Sequence, residues 1–187
     1  MSQKSLLKKV NTPEFRVSFP HLFTPRKNDL NGKMEYSVTA LFPKGTNINE
    51  LLAAANEVAV SAFGPDKTKW PKNLKMPFKK QEDSLDKDGK LRSGHEEGAW
   101  LMNLKCDASK NQPGIVDAQV QPIIDPKEVY AGCYGKASIT FFAFNQPAAK
   151  GVSIILNNFQ KTKDGEPLTS RNRAEDDFKP IESDNLY

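Results

Sequence analysis

Two cysteines and two histidines are all that 187 residues supply of the side chains on which transition-metal sites and nucleophilic catalysis most often rest. Cys106 and Cys133 make neither a CxxC pair nor a disulfide framework, and both fall in strand-like apolar runs, so they read as buried thiols. His21 and His95 lie far apart in the sequence. A zinc site would need the fold to gather these four without the close ligand spacing such sites show, and no metal or other cofactor is expected. The phosphate-cradling GxxxxGKS/T loop, the GxSxG elbow and the HExxH helix are missing too. Acids such as Asp83 and Asp86 sit in a polar stretch where a solvated role is the simpler one, so catalysis is not expected. Ser84 to His95 imitates a calcium loop at Asp86, Asp88 and Gly89, but Ser84 and His95 stand where the first and last carboxylates belong, and Asp88-Gly89 reads instead as a turn. No apolar run approaches the length of a membrane span, and MSQKSLLKKV lacks the unbroken apolar segment of a secretory signal; the expected location is the cytoplasm.

What the chain does have is an uneven distribution of charge. From Ala174 onward five acids (Glu175, Asp176, Asp177, Glu182 and Asp184) face Lys179 alone, and subtracting this tail of −4 from the total of +4 leaves +8 on residues 1–173. A basic body with an acidic tail suits a polyanion-binding domain, residues 1–173, followed by a disordered arm, residues 174–187, that reaches other proteins or competes for the same groove.

The stretch from Tyr130 to Phe144, YAGCYGKASITFFAF, carries the clearest signal. At a strand's period of two, Cys133, Ala137, Ile139, Phe141 and Ala143 share one face and suit a core. Tyr134, Lys136, Ser138, Thr140 and Phe142 share the other, where rings can stack unpaired bases and the lysine can meet phosphate. A strand buried on both faces is the alternative.

Along the chain, residues 1–12 read as a mobile, lysine-rich arm. Glu14 to Phe19 alternates with Phe15, Val17 and Phe19 inward, and Pro20 ends or edges that strand. After the Asn31-Gly32 turn, Met34 to Phe42 forms a second strand with Tyr36 in the core. A helix over about 47–63 presents Ile48, Leu51, Leu52, Ala55, Val58 and Ala62 as one stripe, with Asn47 and Glu50 as a capping box and Gly64-Pro65 as the stop. Residues 66–98 form a long basic loop whose Trp70, Lys72, Phe78, Lys79, Lys80 and Arg92 can wrap a single strand of nucleic acid or ring a small apolar cluster. Ala99 to Ser109 is a strand with Trp100 as a core anchor or, second, a rim platform, and Lys105 on the opposite face; Ile115–Ile124 and Gly132–Phe144 form the next pair, and Val152–Gln160 the last strand. Five or six strands, one helix and long connections fit a mainly β, partly open Greek-key barrel of the oligonucleotide-binding (OB) kind, with a β-sandwich nearly as compatible.

The runs PEFRVSFPHLFTP, AWLMNLKCDA, VYAGCYGKASITFFAF and KGVSIILNNFQKTKDGEPL, taken in order and spacing over residues 13–168, resemble a family of OB-fold single-stranded DNA-binding proteins from tailed bacteriophages. The resemblance implies non-sequence-specific capture of single-stranded DNA during phage replication, recombination or repair, with phage or host replication proteins recruited through the acidic tail and its terminal Tyr187. The expected DNA contacts are Tyr134, Phe142, Trp70 and Phe78 as base platforms, with Lys136, Lys105, Lys72, Lys79, Lys80 and Arg92 at phosphates. A β-rich phage structural protein of capsid or tail is the other reading, since fold alone does not fix function.

Overall fold

Alternation in five long segments creates the inner surface of one curved sheet. The computed structural model describes residues 5–169 and 177–181. Its strands are β1 (Lys8–Asn11), β2 (Phe15–Lys27), β3 (Met34–Leu41), β4 (Lys79–Lys80), β5 (Trp100–Asp107), β6 (Gly114–Val116), β7 (Tyr134–Asn145) and β8 (Lys150–Lys163), with one α-helix, α1 (Asn49–Phe63). They order as β4-β5-β3-β2-β7-β8-β6, with β1 also paired to β7. Every pairing is antiparallel except β6 with β8. β8 curls back beside β5, but among the described residues no ladder joins them, so the barrel stays open at that seam. Inside pack Phe15, Val38, Met102, Leu104, Phe141 and Phe159, all essentially without solvent contact. This is the expected OB-type barrel of β2, β3, β5, β7 and β8.

α1 lies against β1, β7 and β8 and buries Leu51, Ala54, Ala55, Val58 and Ala59. Leu52 and Ala62, assigned to the buried stripe by periodicity, are exposed, because the sheet covers a band centred on Ala55. The capping box does not form: Asn47 Oδ1 accepts from the Asn49 amide at 2.9 Å, and the N-cap position falls to Ile48. Gly64, at φ 91°, ends the helix in a conformation that favours glycine.

The structure corrects several sequence-based expectations. The supposed arm is a strand from Lys8 to Asn11 on the edge of β7, because Thr12 exchanges hydrogen bonds with Ala137 through both its amide and its hydroxyl. β2 continues through Pro20 to Lys27. Its ladder with β3 steps from Ser18↔Thr39 to His21↔Ser37, three residues against two, so one extra residue bulges out. The bulge holds Phe19 at φ 44° and reverses the alternation, leaving Phe19 50 % exposed while Phe15 and Val17 stay buried. Residues 115–124 do not make a strand paired to β7. Only Gly114–Val116 is extended, parallel to β8, and Asp117 then closes a tight turn by accepting the Gln119 and Gln121 amides.

The basic loop is folded. Two 3₁₀ turns, Lys67–Lys69 and Gln81–Asp83, bracket β4, and Trp70, Met76 and Phe78 pack against the core. The segment from 75 to 80 straps the open seam: Lys75 bridges to Gly151 on β8, and Lys79 pairs with Leu101 on β5. Farther on, Leu85 bridges Leu91 around the Asp88-Gly89 turn.

Candidate nucleic-acid interface

The outward faces of β2, β3 and β5, walled by the segment 78–95, form a groove of two adjoining compartments. The larger, about 740 Å³, is lined by Phe19, Phe78, Lys79, Lys80, Asp83, Ser84, Arg92, His95, Trp100 and Leu101. The smaller, about 280 Å³, is lined by His21, Arg26, Lys27, Asn28, Glu35, Ser37 and Lys105. Phe19, Thr39 and Asn103 belong to both and mark the divide. Six cations (Lys79, Lys80, Arg92, Arg26, Lys27 and Lys105) thus face two acids, Asp83 and Glu35. A concave surface with that imbalance and three rings has the chemistry of a site for a polyanion with flat bases.

Each wall has a reason to hold its shape. Gln81 is 1 % exposed, and its amide donates to the Phe42 and Trp100 carbonyls at 2.9 and 2.7 Å while accepting from the Glu96 amide at 2.8 Å. Glu82 accepts from the Gly98 amide at 3.0 Å. These bonds pin both ends of the segment that carries Arg92 and His95, so its length does not leave it loose. Phe78 is backed by Phe141, with ring centroids 6.2 Å apart. Trp100 does two jobs, packing partly on the core and lining the groove. Thr39 donates its hydroxyl to Asn103 Oδ1 at 3.0 Å, which fixes the amide on the groove floor.

Phe19 is the unusual residue of the set. A bulky side chain at positive φ is strained by about 1–3 kcal/mol, and such strain persists where the surrounding structure enforces it and function uses it. Here the strain presents a ring to the divide of the groove, with the Arg92 guanidinium 5.8 Å from its centroid. Among the described residues no carboxylate is within ion-pair reach of Lys79, Lys80 or Arg92. In the smaller compartment Lys105 is partly matched by Glu35 at 3.6 Å, and Glu35 also accepts from Asn28 at 2.9 Å and Asn31 at 3.2 Å. Both groove histidines are held below their ordinary pKa, first by burial and then by a neighbouring cation, Arg26 for His21 and Arg92 for His95, although the Ser93 carbonyl opposes the shift in His95.

The structure gathers Phe78, Lys79, Lys80 and Arg92 in the larger compartment and places Lys105 in the smaller. It sets Trp70 and Lys72 beyond the strap; Trp70 packs on the core, and its indole donates to the Gly64 carbonyl at 2.8 Å. Phe142 lies at the seam in a separate hollow of about 320 Å³ with Ile154 and Ile155, which Lys105 also borders. Tyr134 and Lys136 point outward from β7 as their alternation predicts, but away from the groove residues. Tyr134 holds Lys163 at 4.7 Å and Arg16 at 5.9 Å from its ring, and Lys136 borders a small apolar hollow with Val116 and Val120. Phe19, His21, Arg26, Thr39 and Asn103 escaped sequence reasoning, and Trp100 combines the two roles that reasoning had set as alternatives; the one available sign for Phe19 was Pro20 inside an apolar run, since prolines in strands mark edges or bulges. Cys106, Cys133, His21 and His95 do not form a set: both thiols are buried, and among the described residues no group of three or more His, Cys, Asp or Glu is placed to hold a metal. No described helix is long and apolar enough to cross a membrane. Of the acidic tail, Asp177 is described and exposed, while Glu175, Asp176, Glu182, Asp184 and Tyr187 lie outside the described residues.

The chain is similar to known proteins in sequence family and in fold. A family described as the ssDNA-binding protein of Enterobacter phage Enc34 matches residues 8–186. Among solved structures, the single-stranded DNA-binding protein from bacteriophage Enc34 in complex with ssDNA is similar with a TM-score of 0.64 at 23 % identity, over 86 % of this chain and 89 % of that one. A C-terminal truncation of the Enc34 protein gives 0.63 at 22 % identity, over 85 % and 87 %. Gp2.5, a single-stranded DNA-binding protein encoded by bacteriophage T7, gives 0.60 at 15 % identity, over 90 % and 96 %. At these identities the structures show a shared fold. No curated protein sequence matches the chain.

Proposed function

The chain belongs to the family of the Enterobacter phage Enc34 ssDNA-binding protein, and from that premise we propose that it captures single-stranded DNA without reading its sequence, in the groove on β2, β3 and β5. Phe19, Trp100 and Phe78 stack bases; Lys79, Lys80 and Arg92 meet phosphates in the larger compartment, and Arg26, Lys27 and Lys105 in the smaller. The observation that carries the reading is Phe19, a strained, half-exposed ring fixed at the divide between two cationic compartments. A groove of this kind excludes duplex because paired bases offer no free faces to stack on.

The working setting is phage DNA replication, recombination or repair inside the infected bacterium, with residues 1–173 as the binding domain and 174–187 as an acidic tail for protein partners. The first described segment ends at residue 169 beside the groove wall, where Leu168 packs on Gly94 and donates its amide to the Ala131 carbonyl at 2.9 Å. The protein holds the strand and leaves it intact, so labelled oligomer incubated with it and magnesium is recovered uncut. The direct test is quenching of tryptophan emission by oligo-dT and by matched duplex at two salt concentrations. Strong, salt-weakened quenching by oligo-dT and little by duplex is the expected result; equal shifts by both at low salt overturn the proposal.

A further inference from the structure

We propose that the strand does not end at the groove: it crosses the 75–80 strap onto a second basic surface built from Lys72, Lys75 and Lys150 beside Trp70 and Phe144. This rests on the groove reading above and adds to it a path for the nucleotides that the groove cannot hold.

Residues 67–80 contain six lysines and no acid. The structure divides them. Lys79 and Lys80 line the groove, whereas Lys72 and Lys75 are exposed on the β8 side of the seam. The Lys75 backbone is pinned there, donating to the Lys150 carbonyl and accepting from the Val152 amide, each at 2.9 Å. Gly151 makes this approach possible, since a β-carbon at that position would collide with the Lys75 carbonyl. The same pairing brings Lys150 alongside, and Phe144 lies opposite Gly151 in the β7–β8 ladder. Trp70 stands at the start of the segment with Lys67 5.6 Å from its ring centroid.

Three features distinguish this surface from an ordinary solvated rim. Its cations are not matched: among the described residues Lys69 alone of the segment 67–80 has an ion-pair partner, Asp66 at 3.9 Å, and no acid pairs with Lys150. Its backbone is fixed at both ends of the strap, which keeps Lys75 beside Lys150 despite their mutual repulsion. It interleaves those lysines with half-buried aromatic rings, the same pairing of charge and π-face found in the groove. The step between the two surfaces is short, because five residues of extended chain from Lys75 to Lys80 span at most about 17 Å.

The test uses the full chain and two oligo-dT lengths, about 5 and about 16 nucleotides, near the limits of what one OB barrel occupies. Combining Lys72→Ala, Lys75→Ala and Lys150→Ala should leave affinity for the short oligomer unchanged. For the long oligomer, affinity should fall roughly tenfold or more at low salt, and the slope of log K against log salt should become shallower by about 2, at about 0.7 per lost phosphate contact. An equal loss on both lengths, or an unchanged slope with the long one, overturns the second surface while leaving the groove intact. Wild-type protein that fails to prefer either oligomer over duplex overturns the groove reading, and this extension with it. A melting curve matching wild type confirms that the variant is folded when these readings are taken.

Discussion

The outer face of β7 and the groove on β2, β3 and β5 hold the same ingredients, aromatic rings among lysines and arginines, yet on the proposed reading only the groove takes the polyanion. Around Tyr134 three cations already have partners, while Lys136 on the same face forms no ion pair among the described residues. Lys163 pairs with Glu14 at 3.3 Å and sits over the tyrosine ring; Arg16 donates to the Gly132 and Glu166 carbonyls at 3.3 and 2.7 Å; Lys161 pairs with Asp164 at 2.7 Å. Glu14 is held below its ordinary carboxylate pKa by a hydrogen bond from Thr162, with help from Lys163 outweighing the opposing effect of burial. In the groove, Lys79, Lys80 and Arg92 find no carboxylate among the described residues, and the protein strains its own backbone to expose Phe19. Most of the β7 cluster closes on itself and braces the strand ends, whereas most of the groove's cations have no carboxylate partner among the described residues. Composition of a face is therefore a weaker guide to binding than whether its charges are already paired.

The comparison breaks most visibly at the two rings. Phe19→Ala should weaken oligo-dT binding by about 1–3 kcal/mol, the usual worth of a base stacked on an aromatic side chain. Tyr134→Ala should leave binding unchanged and lower the melting temperature instead, since each cation lost from an exposed ring is worth about 0.5–1 kcal/mol. Fluorescence titration and thermal melting of both variants decide the matter; a folded Tyr134→Ala protein that binds as poorly as Phe19→Ala sinks the contrast. Phe19→Gly sharpens it further. Glycine accepts φ 44° without strain, so this variant should melt higher than Phe19→Ala while binding no better.

Next in size is the response to salt. Lys79→Ala with Lys80→Ala should make the slope of log K against log salt shallower by about 1.4, two phosphate contacts at about 0.7 each. Lys136→Ala with Lys163→Ala, an equal loss of charge on the other surface, should leave the slope as it is. Equal slope changes in the two double variants would mean that net charge alone governs binding and that the groove has no privileged place.

These contrasts show how far the sequence could be read. The two faces of β7 follow directly from alternation, because at both irregularities of its ladder with β8 the extra residue falls on β8, leaving the inward series Cys133, Ala137, Ile139 and Phe141 unbroken. Alternation failed at Phe19 for a local reason: one extra residue between Ser18 and His21 reverses the face, and nothing in a period-of-two pattern announces it. Phe78, Lys79, Lys80 and Arg92 were legible as a basic, aromatic loop, but their convergence with Phe19 and Trp100 depends on the buried Gln81 hydrogen bonds, which tie positions 42, 81, 96 and 100 together. Lys8–Asn11 looked like an arm because it is polar and lysine-rich, while what holds it is backbone pairing with β7 and an ion pair from Lys8 to Glu57 at 2.9 Å, neither of which composition announces.

The smallest effect separates the surfaces by proton uptake. The chain's two histidines both line the groove, His21 near Arg26 and Lys27 on its own strand and near Glu35 and Lys105 across it, His95 near Arg92, Asp83, Lys79 and Lys80. Burial depresses both imidazoles, so the folded, free protein resists protonation at a pH where the unfolded chain already takes up protons. Stability therefore falls as pH drops through the ordinary histidine value near 6.5. Binding has the opposite sign: phosphate beside an imidazole favours its charged form, the complex takes up protons that the free protein declines, and affinity for oligo-dT should rise as pH falls from about 7 to about 5.5. Combining His21→Gln with His95→Gln should flatten both trends, measured by urea unfolding and by oligo-dT titration at constant ionic strength. A wild-type affinity that stays level or falls over that range would place the phosphates away from both histidines, and so out of the groove.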